Sequence, residues 1–223
     1  SRRRHTRLLT VTGVQTCALP ISTLLTRRES VEDPGGYCIR SLSDGRVTPI
    51  TRSPNPYPGL AGVKGELIRY KRADGTALSG TLYLPPGYKP GQGPLPTLIW
   101  AYPREHLSAD TAEQVNAAPE KFTRISVTGP LPFLLAGYAV LNDPTMPIIG
   151  RNGAQPNDTY VEQLVASAQA AVDELVCRSV TDPKRVAIAG HSYGAFMTAN
   201  LLAHSKLLDR KSTRLNSSHS QQS

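Results

Sequence analysis

A serine lies between two glycines in the last quarter of the printed sequence, in the pattern Gly190-His191-Ser192-Tyr193-Gly194. Small residues around a serine permit a sharp turn from a strand into a helix, and such a turn exposes the hydroxyl. The apolar run 186–189 precedes this motif, and residues 195–203, which are compatible with a helix, follow it. The sequence therefore predicts that Ser192 is a nucleophile for acyl transfer and that the motif is not merely a structural turn.

A serine nucleophile needs a base, and the sequence places His191 directly beside it. A side chain adjacent to the nucleophile on a sharp turn points away from it, and in proteins with this motif the chain order is serine, then acid, then histidine. We expect His191 to order the loop, and His106 and His204 to be surface or packing histidines. The aspartates nearest before Ser192 precede it in the chain and are therefore not expected to be the acid of a triad: Asp143, Asp158, Asp173 and Asp182.

Downstream of Ser192 the printed sequence offers few partners for it. Asp209 is the one acid there, and His204 and His219 are the histidines. A complete triad would need further strands and helices that bring an acid and a base to the serine. We expect the chain as written to lack both partners and therefore to be inactive by itself.

Five strand candidates must position the motif. They are the runs 66–70, 78–84, 97–102, 138–141 and 185–189. Ala73-Asp74-Gly75-Thr76 separates the first two, which predicts a hairpin. The other three are short apolar runs without polar alternation, as is typical of a mostly parallel sheet that helices cover. Because the nucleophile follows the fifth strand, the predicted class is α/β, and specifically an α/β-hydrolase fold of which strands one to five are present.

That fold supplies two hydrogen-bond donors to the oxyanion of the reaction. One is the backbone N–H of the residue after the serine, here Tyr193, and the other comes from the loop after the third strand. That loop begins at residues 100–105, and Tyr102 carries a phenolic hydroxyl there. We expect Tyr102 and Tyr193 to form the oxyanion hole, the alternative for Tyr102 being a buried aromatic side chain that closes the strand.

The clearest helix in the sequence lies between the fourth and fifth strands. Apolar side chains recur there at spacings of three and four residues: Val161, Leu164, Val165, Ala168, Val172, Leu175 and Val176. Thr159 followed by Glu162 predicts a capping box, and Asn157 and Asp158 are alternative caps. The helix is expected to begin near residue 158 and to end before Thr181.

The segment before these strands, residues 37–60, predicts a separate hairpin and a linker. Two extended runs, 37–42 and 47–51, flank the pair Asp44-Gly45, which predicts a second hairpin. The proline-rich run 53–60 cannot join a ladder of hydrogen bonds, so it predicts a linker. A domain boundary near residue 61 follows.

The formal charge of +8 is concentrated at the two ends of the chain. Residues 1–22 and 211–223 hold six of the 25 basic residues and no acidic residue, so residues 23–210 carry only +2. Both ends resemble translated sequencing-adapter sequence, and we treat them as non-native. The alternatives are a presequence or secretion signal at the front and a disordered tail at the back.

Composition also bears on partners. With the ends set aside, no nucleic-acid partner is expected, although a non-catalytic or nucleic-acid-binding protein is the alternative that the basic ends suggest. No apolar run approaches the roughly 20 residues that cross a bilayer, so no membrane span is predicted. The cysteines Cys17, Cys38 and Cys177 have no metal-binding spacing, and we expect Cys38 and Cys177 to be two buried thiols. No cofactor is expected, and the oligomeric state is left open.

Taken together, these motifs resemble the prolyl oligopeptidase family of serine peptidases, and within it the glutamyl endopeptidase-like branch. The resemblance runs from about Arg27 to Leu208. Four segments carry it: Asn55-Pro56-Tyr57-Pro58, Trp100-Ala101-Tyr102-Pro103, Tyr160-Val161-Glu162-Gln163-Leu164-Val165 and Gly190-His191-Ser192-Tyr193-Gly194-Ala195-Phe196-Met197-Thr198. It implies that 23–61 is the end of a β-propeller domain with its linker, and that 62–210 is the N-terminal part of a peptidase domain.

The resemblance also implies a function. It implies a serine-type peptidase that hydrolyses peptide substrates through an acyl-enzyme on Ser192, and the family's oxyanion tyrosine falls on Tyr102. An esterase or lipase of the same fold is the enzymatic alternative. Cleavage after glutamate would need a cation near the substrate carboxylate. Arg104 and Arg151 are candidates, although ordinary surface arginine is the favoured interpretation of both.

Overall fold

The computed structural model describes residues 22–89, 91–106, 122–126, 128–150 and 155–208. These residues form two compact units. One unit holds 22–62 and 122–124, and the other holds the remaining described residues from 63 onward. The two ends that we treat as non-native, with the exception of Ser22, and the candidate Arg151 lie outside the described residues.

The smaller unit contains a three-stranded antiparallel sheet in the order β1-β2-β3. The strands are β1 (Thr23–Arg28), β2 (Gly36–Ser41) and β3 (Val47–Pro49). The hairpin predicted at Asp44-Gly45 is confirmed: Gly45 has a φ of 71°, and the Asp44 carboxylate accepts a hydrogen bond of 3.0 Å from the N–H of Arg46. Such a turn requires a positive φ, which glycine adopts without steric cost.

The first strand of this sheet was not predicted. Its one fully buried side chain is Thr26, whose hydroxyl donates a hydrogen bond of 3.2 Å to the carbonyl of Cys38, whereas Leu25 is 51% exposed. Strand prediction relies on apolar residues alternating with polar ones. β1 reverses that relation at two neighbouring positions, so its pattern gave no strand signal.

The larger unit is built on a five-stranded sheet in the order β10-β6-β8-β5-β4. Its strands are β4 (Glu66–Lys71), β5 (Ala77–Tyr83), β6 (Leu95–Trp100), β8 (Ala139–Asn142) and β10 (Thr181–Ala189). β6 is parallel to both β8 and β10, whereas β4, β5 and β8 are joined in antiparallel fashion. The five predicted strands and the predicted first hairpin are confirmed, and the result is a mixed α/β architecture.

Two further short strands were not predicted. They are β7 (Arg104–His106) and β9 (Pro147–Ile149), which pair in parallel and form a sheet of their own. β7 consists of three polar residues, so the sequence there carries none of the apolar signal of a strand. β7 follows β6 and β9 follows β8, and the chain therefore continues in extended form beyond the carboxyl ends of both parallel strands.

The predicted helix is present as α1 (Tyr160–Cys177), preceded by a 3-10 turn at Pro156–Thr159. The predicted capping box between Thr159 and Glu162 is wrong. The hydroxyl oxygen of Thr159 instead accepts a hydrogen bond of 2.8 Å from the side-chain amide of Gln163. The carboxylate of Asp158 accepts one of 3.1 Å from the N–H of Gln155, one turn earlier.

A single hydrophobic core joins the helices to the five-stranded sheet. α1 and α2 (Tyr193–His204) supply Leu164, Leu175 and Met197, which pack with Ile99 and Leu141 from the sheet. Burying each such side chain contributes about 1.5–3 kcal/mol, which is what fixes the helices against the strands. Val176 was predicted on the buried face but is 37% exposed, because the buried face of α1 ends at Leu175.

Two sequence-based expectations, one about the cysteines and one about membrane spans, can be compared with this fold. Cys38 is buried and Cys177 is exposed, and both are free, so the prediction of two buried thiols is wrong for Cys177. Cys177 is the last residue of α1 and lies beyond the end of its buried face. Neither helix in the described ranges combines the length and the apolar character that crossing a bilayer requires.

Candidate active site

Ser192 occupies a strained turn between β10 and α2. Its backbone has φ 55° and ψ −116°, and its side chain is exposed. Positive φ is uncommon for residues other than glycine, and strain of this kind is concentrated at functional sites. The predicted strand, turn and helix around Ser192 are therefore all present.

The two glycines of the motif are required by a close contact with the end of β6. A Cβ atom on either Gly190 or Gly194 would lie 2.4 Å from the carbonyl oxygen of Ala101. The N–H of Ala101 in turn donates a hydrogen bond of 3.1 Å to the carbonyl of Ala189, the last residue of β10. The turn that carries Ser192 is thus packed against the backbone of the neighbouring parallel strand.

Among the described residues, the backbone N–H of Tyr193 has no backbone partner and can bind an oxygen atom. At the start of α2, the N–H of Gly194 donates to the carbonyl of His191 and that of Ala195 donates to the carbonyl of Ser192. The N–H of Tyr193, the first helical residue, donates to no backbone carbonyl of the described residues. Unpaired N–H groups at a helix N-terminus carry partial positive charge, which favours an anion there.

Aromatic rings surround the side chain of Tyr193. The Tyr102 ring meets it edge-on with 6.0 Å between centroids, and the Phe196 ring stacks on it at 5.8 Å with 6° between planes. The Tyr160 ring, tilted by 44°, also lies 5.8 Å away. Tyr102 is 44% exposed, so it is not the buried aromatic side chain that was the alternative interpretation of this residue.

Glu105 completes this cluster and was not identified from the sequence. The hydroxyl of Tyr193 donates a hydrogen bond of 2.8 Å to Oε1 of Glu105. Burial and the hydrogen bond to the Glu105 carboxylate both raise the pKa of Tyr193. Burial raises the pKa of Tyr160 as well. Both phenols are therefore uncharged at neutral pH, and the Tyr193 hydroxyl keeps the proton that it donates to Glu105.

Known proteins that are similar to this chain indicate its family. Residues 157–208, which contain α1, β10, the Ser192 turn and α2, match the model of the prolyl oligopeptidase family. The protein named "Probable glutamyl endopeptidase, chloroplastic" from Oryza sativa subsp. japonica is 51% identical over 189 residues, which are 83% of this chain and 20% of that protein. The chain belongs to the prolyl oligopeptidase family. The family resemblance inferred from the motifs is thereby confirmed.

Other relatives give the same assignment of family and fold. The Arabidopsis thaliana protein of the same name is 52% identical over 182 residues, which are 81% of this chain and 19% of that protein. The chain thus spans about a fifth of the length of the curated relatives that it matches. Among solved structures, the AtxE2 isopeptidase shares the fold, with a TM-score of 0.56 and 24% identity over 86% of this chain and 29% of that chain.

In this member of the prolyl oligopeptidase family, none of the described histidines forms a hydrogen bond with the Ser192 hydroxyl, and His219 lies outside the described residues. His191 and His204 are exposed, and His106 is a partly buried residue of β7. Within the described ranges, no side chain forms a hydrogen bond with the Ser192 hydroxyl. The described residues therefore expose the Ser192 hydroxyl without supplying a base to it.

Three of the four aspartates that were considered as triad acids form hydrogen bonds with nearby residues. Asp158 bonds to Gln155, as described above, Asp173 accepts 2.7 Å from Gln169, and Asp182 accepts 2.7 Å from Arg185. Asp143 follows β8 with a φ of 49°. No group of three potential metal ligands among His, Cys, Asp and Glu occurs in the part of the chain that the structure describes.

Proposed function

We propose that the whole protein is a serine peptidase that hydrolyses peptide bonds through an acyl-enzyme on Ser192. The observation that carries this proposal is the exposed Ser192 on a strained turn, directly before the N–H of Tyr193, which donates to no backbone carbonyl of the described residues. A nucleophile and an oxyanion donor on adjacent residues are two of the groups that peptide hydrolysis by a serine requires, the third being a base. Membership of the prolyl oligopeptidase family supports the choice of a peptide substrate.

The reaction follows from these groups. The Ser192 oxygen attacks the carbonyl carbon of the peptide and gives its proton to a base, while the carbonyl oxygen becomes an oxyanion. The N–H of Tyr193 and the hydroxyl of Tyr102 stabilise that oxyanion by hydrogen bonds. The C–N bond then breaks, the leaving amine takes the proton from the base, and water later hydrolyses the acyl-serine.

We propose that the base and its acid lie outside the printed 223 residues. Without a base, serine is a weak nucleophile at its ordinary pKa, and the oxyanion hole alone supplies a small part of the acceleration. The 223-residue chain is therefore expected to be inactive, and the peptidase activity to belong to the longer protein. In the same proposal, the larger unit is the front part of an α/β-hydrolase domain, and residues 23–61 are the end of a β-propeller domain and its linker.

A serine-reactive fluorophosphonate tests this function in the full-length protein. Labelling and peptide cleavage should both disappear in Ser192→Ala and persist in Ser205→Ala, which alters a serine at the other end of α2. Labelling of Ser192→Ala at the wild-type rate would overturn the assignment. Hydrolysis of simple esters without any cleavage of peptides would indicate an esterase, which is the alternative of the same fold.

Cleavage after glutamate is the finer part of the proposal. The two curated relatives are named glutamyl endopeptidases, and Arg104 is an exposed cation two residues after Tyr102. Peptides with glutamate before the cleaved bond should be hydrolysed faster than matched peptides with glutamine there. Arg104→Gln should reduce that preference, whereas Arg69→Gln, a change at an exposed arginine of β4, should leave it intact. An unchanged preference in Arg104→Gln would remove Arg104 from the specificity site.

A further inference from the structure

We propose that Glu105 is a positioning residue for the nucleophile turn. Its carboxylate holds the Tyr193 ring, and through that ring it holds the N–H of Tyr193 where the oxyanion forms. This inference rests on the proposed function, because it assigns a role to Glu105 within the reaction at Ser192. It is independent of the position of the catalytic base.

The contact joins two segments that are distant along the chain. The hydroxyl of Tyr193 donates to Oε1 of Glu105 over 2.8 Å, and the two residues are 88 positions apart. Tyr193 directly follows Ser192, and Glu105 lies three residues after Tyr102. Because a carboxylate accepts this bond, it is stronger than a bond between two neutral groups. The bond therefore links the nucleophile turn to the segment that carries the second oxyanion donor.

Contacts with other rings leave one motion of the Tyr193 ring unrestrained. Phe196 stacks parallel to it, and Tyr160 and Tyr102 pack against it at centroid distances of 5.8 and 6.0 Å. Such contacts are compatible with a range of offset positions, so they do not fix where the ring lies within its own plane. The hydrogen bond at the hydroxyl fixes that position. Tyr193 is also the first residue of α2, so a shift of its ring displaces the backbone that precedes the helix.

Glu105 is itself held by a supported strand. In β7, Glu105 pairs with Ile148 of β9. The side-chain amide of Gln163 on α1 then holds β9, because it accepts a hydrogen bond of 3.0 Å from the N–H of Ile149 and donates one of 2.9 Å to its carbonyl. Gln163 also accepts a hydrogen bond from the buried guanidinium of Arg72. Glu105 is exposed, but these contacts support the backbone of the strand that carries it, so it does not lie on an unsupported loop.

The test uses kcat and KM of the full-length protein for a peptide substrate. Glu105→Leu should lower kcat about 10-fold or more, with KM changed less than about twofold, because a hydrogen bond to a charged group is lost from the turn but not from a substrate pocket. Glu105→Gln keeps an acceptor oxygen and should retain kcat to within about threefold. Tyr193→Phe should match Glu105→Leu, and the double variant should lose no more than either single variant. Glu66→Leu alters an exposed glutamate of β4, the far edge strand, and should behave as wild type.

Several outcomes would overturn this role. They are a wild-type kcat in Glu105→Leu, a loss in Glu105→Gln as large as that in Glu105→Leu, or losses that add in the double variant. If Glu105→Leu does not fold, as judged by its thermal midpoint, Tyr193→Phe and Glu105→Gln still decide the question. Failure of the proposed function is recognised separately, because it would leave Ser192→Ala active whatever the state of Glu105.

Discussion

The carbonyl oxygen of Ala101 lies 2.4 Å from the point that a Cβ atom on Gly190 would occupy. The same oxygen lies equally close to a Cβ atom built on Gly194. Real Cβ atoms do not approach backbone oxygens so closely, so both positions are restricted to glycine by packing. The glycines around Ser192 are therefore required by the close approach of the chain at the end of β6 as well as by the turn itself.

Replacing either glycine should damage the site. In Gly190→Ala or Gly194→Ala the added methyl group pushes the turn away from Ala101, which should lower the free energy of unfolding by about 1–3 kcal/mol and slow fluorophosphonate labelling of Ser192 at least tenfold. Gly75→Ala is the control, because the turn between β4 and β5 has a φ of 88° at this glycine and no atom within 4 Å of an added Cβ. That variant should lose stability and keep its labelling rate. Wild-type labelling of Gly190→Ala would contradict the packing argument.

Removing the hydroxyl of Tyr102 tests its predicted role in the oxyanion hole. If that hydroxyl donates to the oxyanion, Tyr102→Phe in the full-length protein should lower kcat about 100-fold with little change in KM, because the bond forms mainly in the transition state. Tyr138→Phe is the matched control, since Tyr138 packs against Phe133 just before β8. Equal kcat values for Tyr102→Phe and wild type would show that the Tyr102 hydroxyl is not the second oxyanion donor beside the N–H of Tyr193.

Features that depend on neighbouring residues could be predicted from the sequence. Five consecutive residues determine the Ser192 turn, and Asp74-Gly75 with the residues beside them determine the hairpin between β4 and β5. The apolar spacing of α1 gave the helix to within two residues at its start. In each case the residues that determine the structure are close together along the chain, so local propensity and local packing agree.

Features that depend on distant contacts could not be predicted. Arg72 looks like a surface arginine of a hairpin, yet it is 2% exposed and bonds to Ser167 and Gln163 on α1. Thr159 fits the sequence pattern of a helix cap, but its hydroxyl accepts a hydrogen bond from the side chain of Gln163 and forms none with the backbone of the first turn. Glu105 bonds to Tyr193 across 88 residues. Only the folded chain shows which polar groups meet, because each could equally have been satisfied by water.

The buried Arg72 should make stability depend on pH in acid. Arg72 donates two hydrogen bonds, of 3.0 and 2.9 Å, to the Asp74 carboxylate, and these bonds lower the pKa of Asp74 in the folded state. A carboxylate with a lowered folded pKa contributes stability above its unfolded pKa of about 3.9, and this contribution is lost as the pH falls further. The urea concentration at the unfolding midpoint of the wild-type protein should therefore decrease as the pH is lowered below about 4.

Two substitutions isolate this effect. Asp74→Asn should have a lower urea midpoint at neutral pH and a weaker dependence on pH below about pH 4, whereas Asp173→Asn, at an exposed carboxylate of α1, should follow wild type. Arg72→Met should cost about 3 kcal/mol, because it leaves buried acceptors without their donor. A steep acid dependence that persists unchanged in Asp74→Asn would show that other carboxylates cause it.

A buried pair of threonines links β10, the strand that precedes Ser192, to its neighbour β6. Thr97 of β6 and Thr181 of β10 are 0% and 2% exposed, and their hydroxyl oxygens are 2.7 Å apart. Thr97→Val or Thr181→Val alone removes one partner from a buried hydroxyl, which should lower the free energy of unfolding by about 1–2 kcal/mol. The double valine variant removes both hydroxyls and should lose clearly less than the sum of the single losses, since no unpaired group remains. Urea unfolding of the wild type, the two single variants and the double variant gives the coupling free energy between the two hydroxyls. Thr48→Val, at an exposed residue of β3, serves as the control. Strictly additive losses would show that the two hydroxyls do not depend on each other.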